Sequence, residues 1–154
     1  MIKDITLGVK KIIETIVADK KLINSAGELV NINVFNGFFP ANEAGEITPA
    51  IAIRVNQGQN SLEERKLNCH IVIQIYSKEA SEAYDVLYDL TQEIVDKTLS
   101  YGKVGDIAEI TPNVKWELIE ENLAPFYIMD INLEIISRKA YRTDVDAWIL
   151  GEWE

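Results

Sequence analysis

The sequence predicts an α+β fold in two layers, a mostly antiparallel sheet with two helices packed on one of its faces, and three observations lead to it. Three segments alternate with period two and keep one strongly apolar face: Ile51-Ile53-Val55, Leu67-Cys69-Ile71-Ile73-Ile75 and Tyr127-Met129-Ile131-Leu133-Ile135. Two longer segments space their apolar residues by three and four, as amphipathic helices do. The chain has 154 residues, 47% of them hydrophobic, enough for one self-supporting core without a staple.

Taken in order, Ile5, Val9, Ile12, Ile13, Ile16 and Val17 share one face of a helix expected from about Asp4 to Asp19. Asp4 is its expected N-cap, Lys20 and Lys21 suit the negative end of its dipole, and Gly8 weakens its first turns. Val30 to Phe35 alternates and reads as a strand. Asn36 to Glu46 carries turn formers throughout and is long for a connection in a compact domain, and its paired Phe38 and Phe39 are out of place in a polar loop. Pro49 opens the strand Ala50 to Val55, with Arg54 opposite the apolar face.

A polar loop, Asn56 to Lys66, is expected to lead into the strand Leu67 to Tyr76, whose second face carries Asn68, His70, Gln74 and Tyr76 with Val72. Ser77 is the expected cap of the second helix. Ala83, Leu87, Leu90 and Ile94 point inward, while Glu79, Glu82, Asp85, Asp89, Glu93 and Asp96 form an acidic stripe toward solvent; Gly102 ends the helix. Val114 to Ile119 and Tyr127 to Arg138 are the last strands, and Asp130, Asn132, Glu134 and Arg138 sit on the second face of the final one. Residues 1–139 therefore read as a single domain, and 140–154 as a C-terminal tail available as an interface arm.

The chemistry of the sequence excludes more than it assigns. A formal net charge of −10 opposes clamping of a nucleic-acid backbone, which depends on neutralising phosphates. Cys69 and His70, the sole cysteine and sole histidine, are neighbours on a strand and project to opposite faces, so they form neither a nucleophile and base pair nor a zinc site. Gly102-Lys103-Val104-Gly105 lacks the length and hydroxyl of a phosphate loop. Asp144 and Asp146 read as a solvated pair. No enzymatic activity, cofactor or metal is expected. The start Met1-Ile2-Lys3-Asp4 does not read as a signal peptide, no apolar run approaches a membrane span, and one cysteine excludes an internal disulfide, so a cytosolic setting is expected. The residues that resist a bland reading are large apolar groups in a loop and a tail, Phe38, Phe39, Trp148, Ile149 and Trp153. With Arg54 and His70 on the second sheet face, they are the candidate interface residues.

The order of elements is helix, strand, long loop, strand, polar loop, strand, helix, strand, strand and tail. Carried by Asn33 to Pro40, Pro49 to Val55, Cys69 to Ser77 leading into Tyr84 to Leu99, and Trp116 to Arg138 with Pro125-Phe126-Tyr127, this layout over about residues 1–140 resembles the tail terminator or tail completion proteins of tailed bacteriophages and the related neck proteins of prophages. The resemblance implies a structural role without catalysis: a homo-oligomeric ring, expected to be a hexamer, that caps the tail tube and joins it to the head connector. It implies self-association, tail tube protein and connector proteins as partners, no specific nucleic-acid binding although DNA passes through the ring, no membrane, and a location in the host cytoplasm during assembly and in the virion neck afterwards. The tail after Arg138 has no counterpart in that layout. The competing reading is a small-ligand binding domain or enzyme on the mixed sheet face, where Arg54, His70, Tyr76, Asp130 and Glu134 would converge.

Overall fold

The computed structural model describes residues 2–40, 44–121 and 123–137. The elements run α1 (Ile2–Val17), β1 (Lys21–Ile23), β2 (Leu29–Asn31), β3 (Asn33–Asn36), α2 (Ala44–Ile47), β4 (Ala50–Asn60), β5 (Arg65–Tyr76), α3 (Ala80–Tyr101), β6 (Lys103–Val104), β7 (Ala108–Ile119) and β8 (Phe126–Ser137). Six strands form one sheet in the order β3-β4-β5-β8-β7-β6, and β1 with β2 makes a separate antiparallel pair. Every neighbouring pair in the large sheet is antiparallel except β3 with β4. The fold is α+β, as the alternation of the strands and the period of the helices predict.

The core follows from that alternation. Ile51 and Ile53 of β4, Leu67, Cys69, Ile71, Ile73 and Ile75 of β5, and Met129, Ile131, Leu133 and Ile135 of β8 join the buried stripes of α1 and α3 in one hydrophobic cluster. α1 touches β3, β4 and β6, α3 touches β5, β7 and β8, and the two helices touch each other. Each fully buried isoleucine or leucine contributes about 1.5–3 kcal/mol of transfer free energy, so this cluster dominates the stability. Gly8 has a packing role as well as a propensity cost: a methyl group there would collide with Cγ1 of Val104, so the absent side chain lets α1 approach β6 closely. Gly102 ends α3 in the left-handed conformation at φ 67°, its N–H bonded to the Thr98 carbonyl.

Several local expectations are corrected. The single strand expected over Val30 to Phe35 is divided at Ile32, whose side chain turns into the core while β2 pairs with β1 and β3 with β4. Asp4 lies inside α1, which starts at Ile2, so it does not cap it. The N-cap of α3 is Glu79 and makes no side-chain cap bond; Ser77 instead exchanges hydrogen bonds with the Glu79 backbone. The segment Asn56 to Lys66 is mostly strand, because β4 and β5 stay paired out to Asn60 and Arg65 across a tight turn in which the Ser61 N–H bonds the Glu64 carbonyl. Asn and Gly have low strand propensity, and cross-strand pairing overrides it here. The expected end of the last strand at Arg138 lies outside the described residues.

Candidate functional site

The second face of the sheet is built from the even-numbered positions of β5 and β8 and their cross-strand partners. Register sets Arg54 opposite His70, His70 opposite Asn132, and Asn132 opposite Lys115, one transverse row over four strands. The next row runs Ala52, Val72, Asp130, Glu117. Across these rows His70 Nδ1 lies 2.8 Å from Asp130 Oδ1. Farther along, Glu134 accepts a hydrogen bond from Asn113 Nδ2 at 2.9 Å and pairs with Lys66 Nζ at 3.3 Å. The Asn113 bond, with help from Lys66, holds the Glu134 carboxyl below the ordinary range although burial pulls the other way. Asn132 Oδ1 is buried on this face without a hydrogen-bond partner among the described residues.

One flank of this face is covered by the crossover from β3 to β4. Gln74 Nε2 donates to Thr48 Oγ1 at 3.0 Å, both side chains buried, and Asn33 Nδ2 donates to the Ile47 carbonyl at 2.9 Å. Arg54 Nη1 donates to the Gly37 carbonyl at 3.2 Å, and its guanidinium lies 4.7 Å from the centre of the Phe38 ring, a cation–π contact. Phe39 meets Phe35 edge to face at 6.3 Å. Phe38 remains 76% exposed while Phe39 is half-buried, so the two phenylalanines differ in role.

The candidate interface residues therefore fall into three groups. Exposed Phe38 and half-buried Arg54 form one unit at the margin of the sheet face, Phe39 anchors the crossover, and His70 sits at the centre of the face held by Asp130. Trp148, Ile149 and Trp153 lie outside the described residues. Of the five groups expected to converge in the competing reading, His70 and Asp130 meet, while Arg54 is level with His70 but has its guanidinium engaged with Gly37 and Phe38. Tyr76 packs against Phe126 at 5.9 Å at one end of the face, and Glu134 is engaged with Lys66 and Asn113.

Cys69 projects into the core from the same strand with no exposure, and desolvation pushes its thiol up to about 12. No group of three or more His, Cys, Asp or Glu gathers to hold a metal ion among the described residues, and none of their helices is long and apolar enough to cross a membrane.

The helix side holds a feature that the alternation of Val114, Trp116 and Leu118 signalled only in part. Trp116 shares the face of Ile131 and Met129, yet β7 lies near the sheet margin and α3 covers it incompletely. Trp116 is 59% exposed and Tyr88 of α3 53% exposed, and they line a cleft of about 420 Å³ with Thr91, Gln92, Val95, Asp96 and Met129. Tyr88 stacks on Tyr84, which meets Tyr127 edge to face. The spacing of Tyr84 and Tyr88, one helical turn apart, was the available sign of this aromatic strip. Comparison with protein-family models finds none that matches this chain, and comparison with curated proteins finds no matching relative.

Proposed function

We propose that this chain is a structural protein of the head-tail neck of a tailed bacteriophage, working as a tail-terminator ring that caps the tail tube and meets the head connector. The observation that carries the reading is the asymmetry of the sheet. One face is sealed by the core, and the other, a mixed face, carries polar side chains bonded to one another across three strands, His70 to Asp130 and Glu134 to Asn113 and Lys66. Beside it Phe38 stands on Arg54 in solvent, where an apolar ring gains free energy once another surface covers it. The layout of helices and strands that resembles this family supports the same reading, and a net charge of −10 suits a channel wall that repels passing DNA and keeps it mobile.

The test is the mass of the full chain by sedimentation over a concentration series, alone and with assembled tail tubes, with electron microscopy of the products. Hexameric rings, free or on tube ends, are expected. A monomer under both conditions overturns the reading. A small molecule retained at one per chain would favour the ligand-binding alternative, for which the His70–Asp130 contact on the mixed face is the supporting observation.

A further inference from the structure

Both margins of the large sheet are only half covered. β3 pairs with β4 over Ala50 to Ile53 and stops, so from Arg54 to Asn60 the outer side of β4 has no strand partner among the described residues. β6 pairs with β7 at Ala108 and Glu109, the Ile110 N–H reaches the Gly102 carbonyl, and from Thr111 to Ile119 the outer side of β7 is likewise without a strand partner among them. Edge strands are normally blunted by charge or proline. The free part of β4 has one charge, Arg54, at its start and is otherwise the uncharged run Val55-Asn56-Gln57-Gly58-Gln59-Asn60, whereas the free part of β7 carries Pro112, Lys115 and Glu117 beside the exposed rings of Trp116 and Tyr88.

We propose that copies of this chain join edge to edge, the free part of β7 in one copy pairing antiparallel with the free part of β4 in the next. The inference rests on the reading above that copies assemble, and it names the surfaces that do so. Polarity permits it: β4, β5, β8 and β7 alternate in direction, so a copy repeated head to tail brings its β7 antiparallel to the β4 it meets. Such a contact is heterologous and can close into a ring.

The partial covers fix the register. Ile53 is level with Ile71, Ile131 and Trp116, so β3 stands at the height of residues 116–119 of β7 and blocks a neighbour placed at equal height. Sliding the incoming β7 by about four residues, about 13 Å, toward Asn60 clears β3. The same slide carries β6 past the end of β4. Arg54 to Asn60 then faces Ile119 to Val114, the bulge at Asn56 taking up one residue. A slide of about 13 Å for every four strands, spaced about 4.8 Å apart, tilts the strands by roughly 35°, the inclination at which sheets close on themselves.

The experiment uses the full chain carrying Gln59→Cys or Lys115→Cys, both exposed positions on the polar face, with buried Cys69 left in place. In the proposed register residue 115 lies next to residue 59 of the neighbour. A short bis-maleimide should link the two variants when mixed, link neither to itself, and give ladders up to the closed ring when one chain carries both. Self-linking of Gln59→Cys, which signals a two-fold β4 contact, overturns the proposal. So does assembly to a defined mass without the mixed link, which leaves the ring reading standing. A chain that is monomeric throughout overturns both. Protection of Lys115→Cys from a simple maleimide in a monomer assigns the β7 edge to the chain's own residues 138–154 and overturns the proposal as well.

Discussion

His70 Nδ1 stands 2.8 Å and 2.9 Å from the two carboxylate oxygens of Asp130, a diagonal contact, since register pairs His70 with Asn132 and Asp130 with Val72. A carboxylate only accepts, so Nδ1 carries the proton and Nε2 is the nitrogen left for another partner. The contact ties the two central strands of the sheet on the face opposite the hydrophobic cluster.

Because both side chains are largely but not wholly buried, their coupling should exceed that of a surface pair. A double-mutant cycle with His70→Phe and Asp130→Asn, read by urea unfolding, is expected to give about 1 kcal/mol of coupling. A value near zero would mean that the contact orders the face without stabilising the fold.

Gly8 makes a prediction that runs against helix propensity. Ala is favoured over Gly in a helix interior by about 1 kcal/mol, yet a methyl at position 8 meets Val104. Gly8→Ala should therefore destabilise by about 1–3 kcal/mol through overpacking. Adding Val104→Ala should recover part of that loss, which thermal unfolding of the three variants will show.

Among the described residues, Glu93 is the member of the acidic stripe clasped by two cations. Lys20 Nζ lies 2.6 Å from Oε2, and Lys97 Nζ lies 2.7 Å from Oε1. The hydrogen bond from Lys20, then that from Lys97, lowers the Glu93 carboxyl below its ordinary value of 4.5, while the same bond raises the Lys20 ammonium. A depressed folded-state carboxyl contributes stability that is full above 4.5 and is lost as pH falls through the lower folded value. Glu93→Gln should therefore cost about 0.5–1 kcal/mol at neutral pH, and the difference from wild type should shrink below pH 4.5 in acid unfolding curves.

Cys69 should resist thiol reagents in the folded chain. Its thiol is raised from 9.0 to about 12, which lowers the thiolate fraction roughly a thousandfold at neutral pH even before access is considered. Labelling should proceed at the rate of core opening and become fast in denaturant. Rapid labelling of the native chain would place Cys69 outside the core. Because the folded value is the raised one, this group contributes stability below pH 9 that is lost as pH rises from there toward about 12.

The helices and the three long strands were legible because their apolar period matches the core: the apolar stripe of α1 and Leu67, Cys69, Ile71, Ile73 and Ile75 of β5 all lie in it. What was not legible depends on partners distant in sequence. Lys21–Ile23 is too short to show alternation and is a strand only because Leu29–Asn31 pairs with it. The parallel partnership of Asn33–Asn36 with β4, and the extension of that strand through Gln57-Gly58-Gln59, likewise come from pairing rather than composition. At the site, adjacency excluded the pairing of His70 with Cys69, but no sequence spacing reveals that Asp130, sixty positions away, holds the imidazole.

The two phenylalanines of the crossover separate assembly from folding. Phe39 is half-buried against Phe35, so Phe39→Ser should cost about 1–3 kcal/mol of stability. Phe38 is exposed and touches Arg54, so Phe38→Ser should change stability by no more than about 0.5–1 kcal/mol, the worth of an exposed cation–π contact. If Phe38 serves an interface, its loss should lower assembly mass or binding to tail tubes several-fold while circular dichroism and the unfolding midpoint stay close to wild type. Loss of stability without loss of assembly would assign the ring to its own domain, because an apolar group that only shields Arg54 has no reason to alter association.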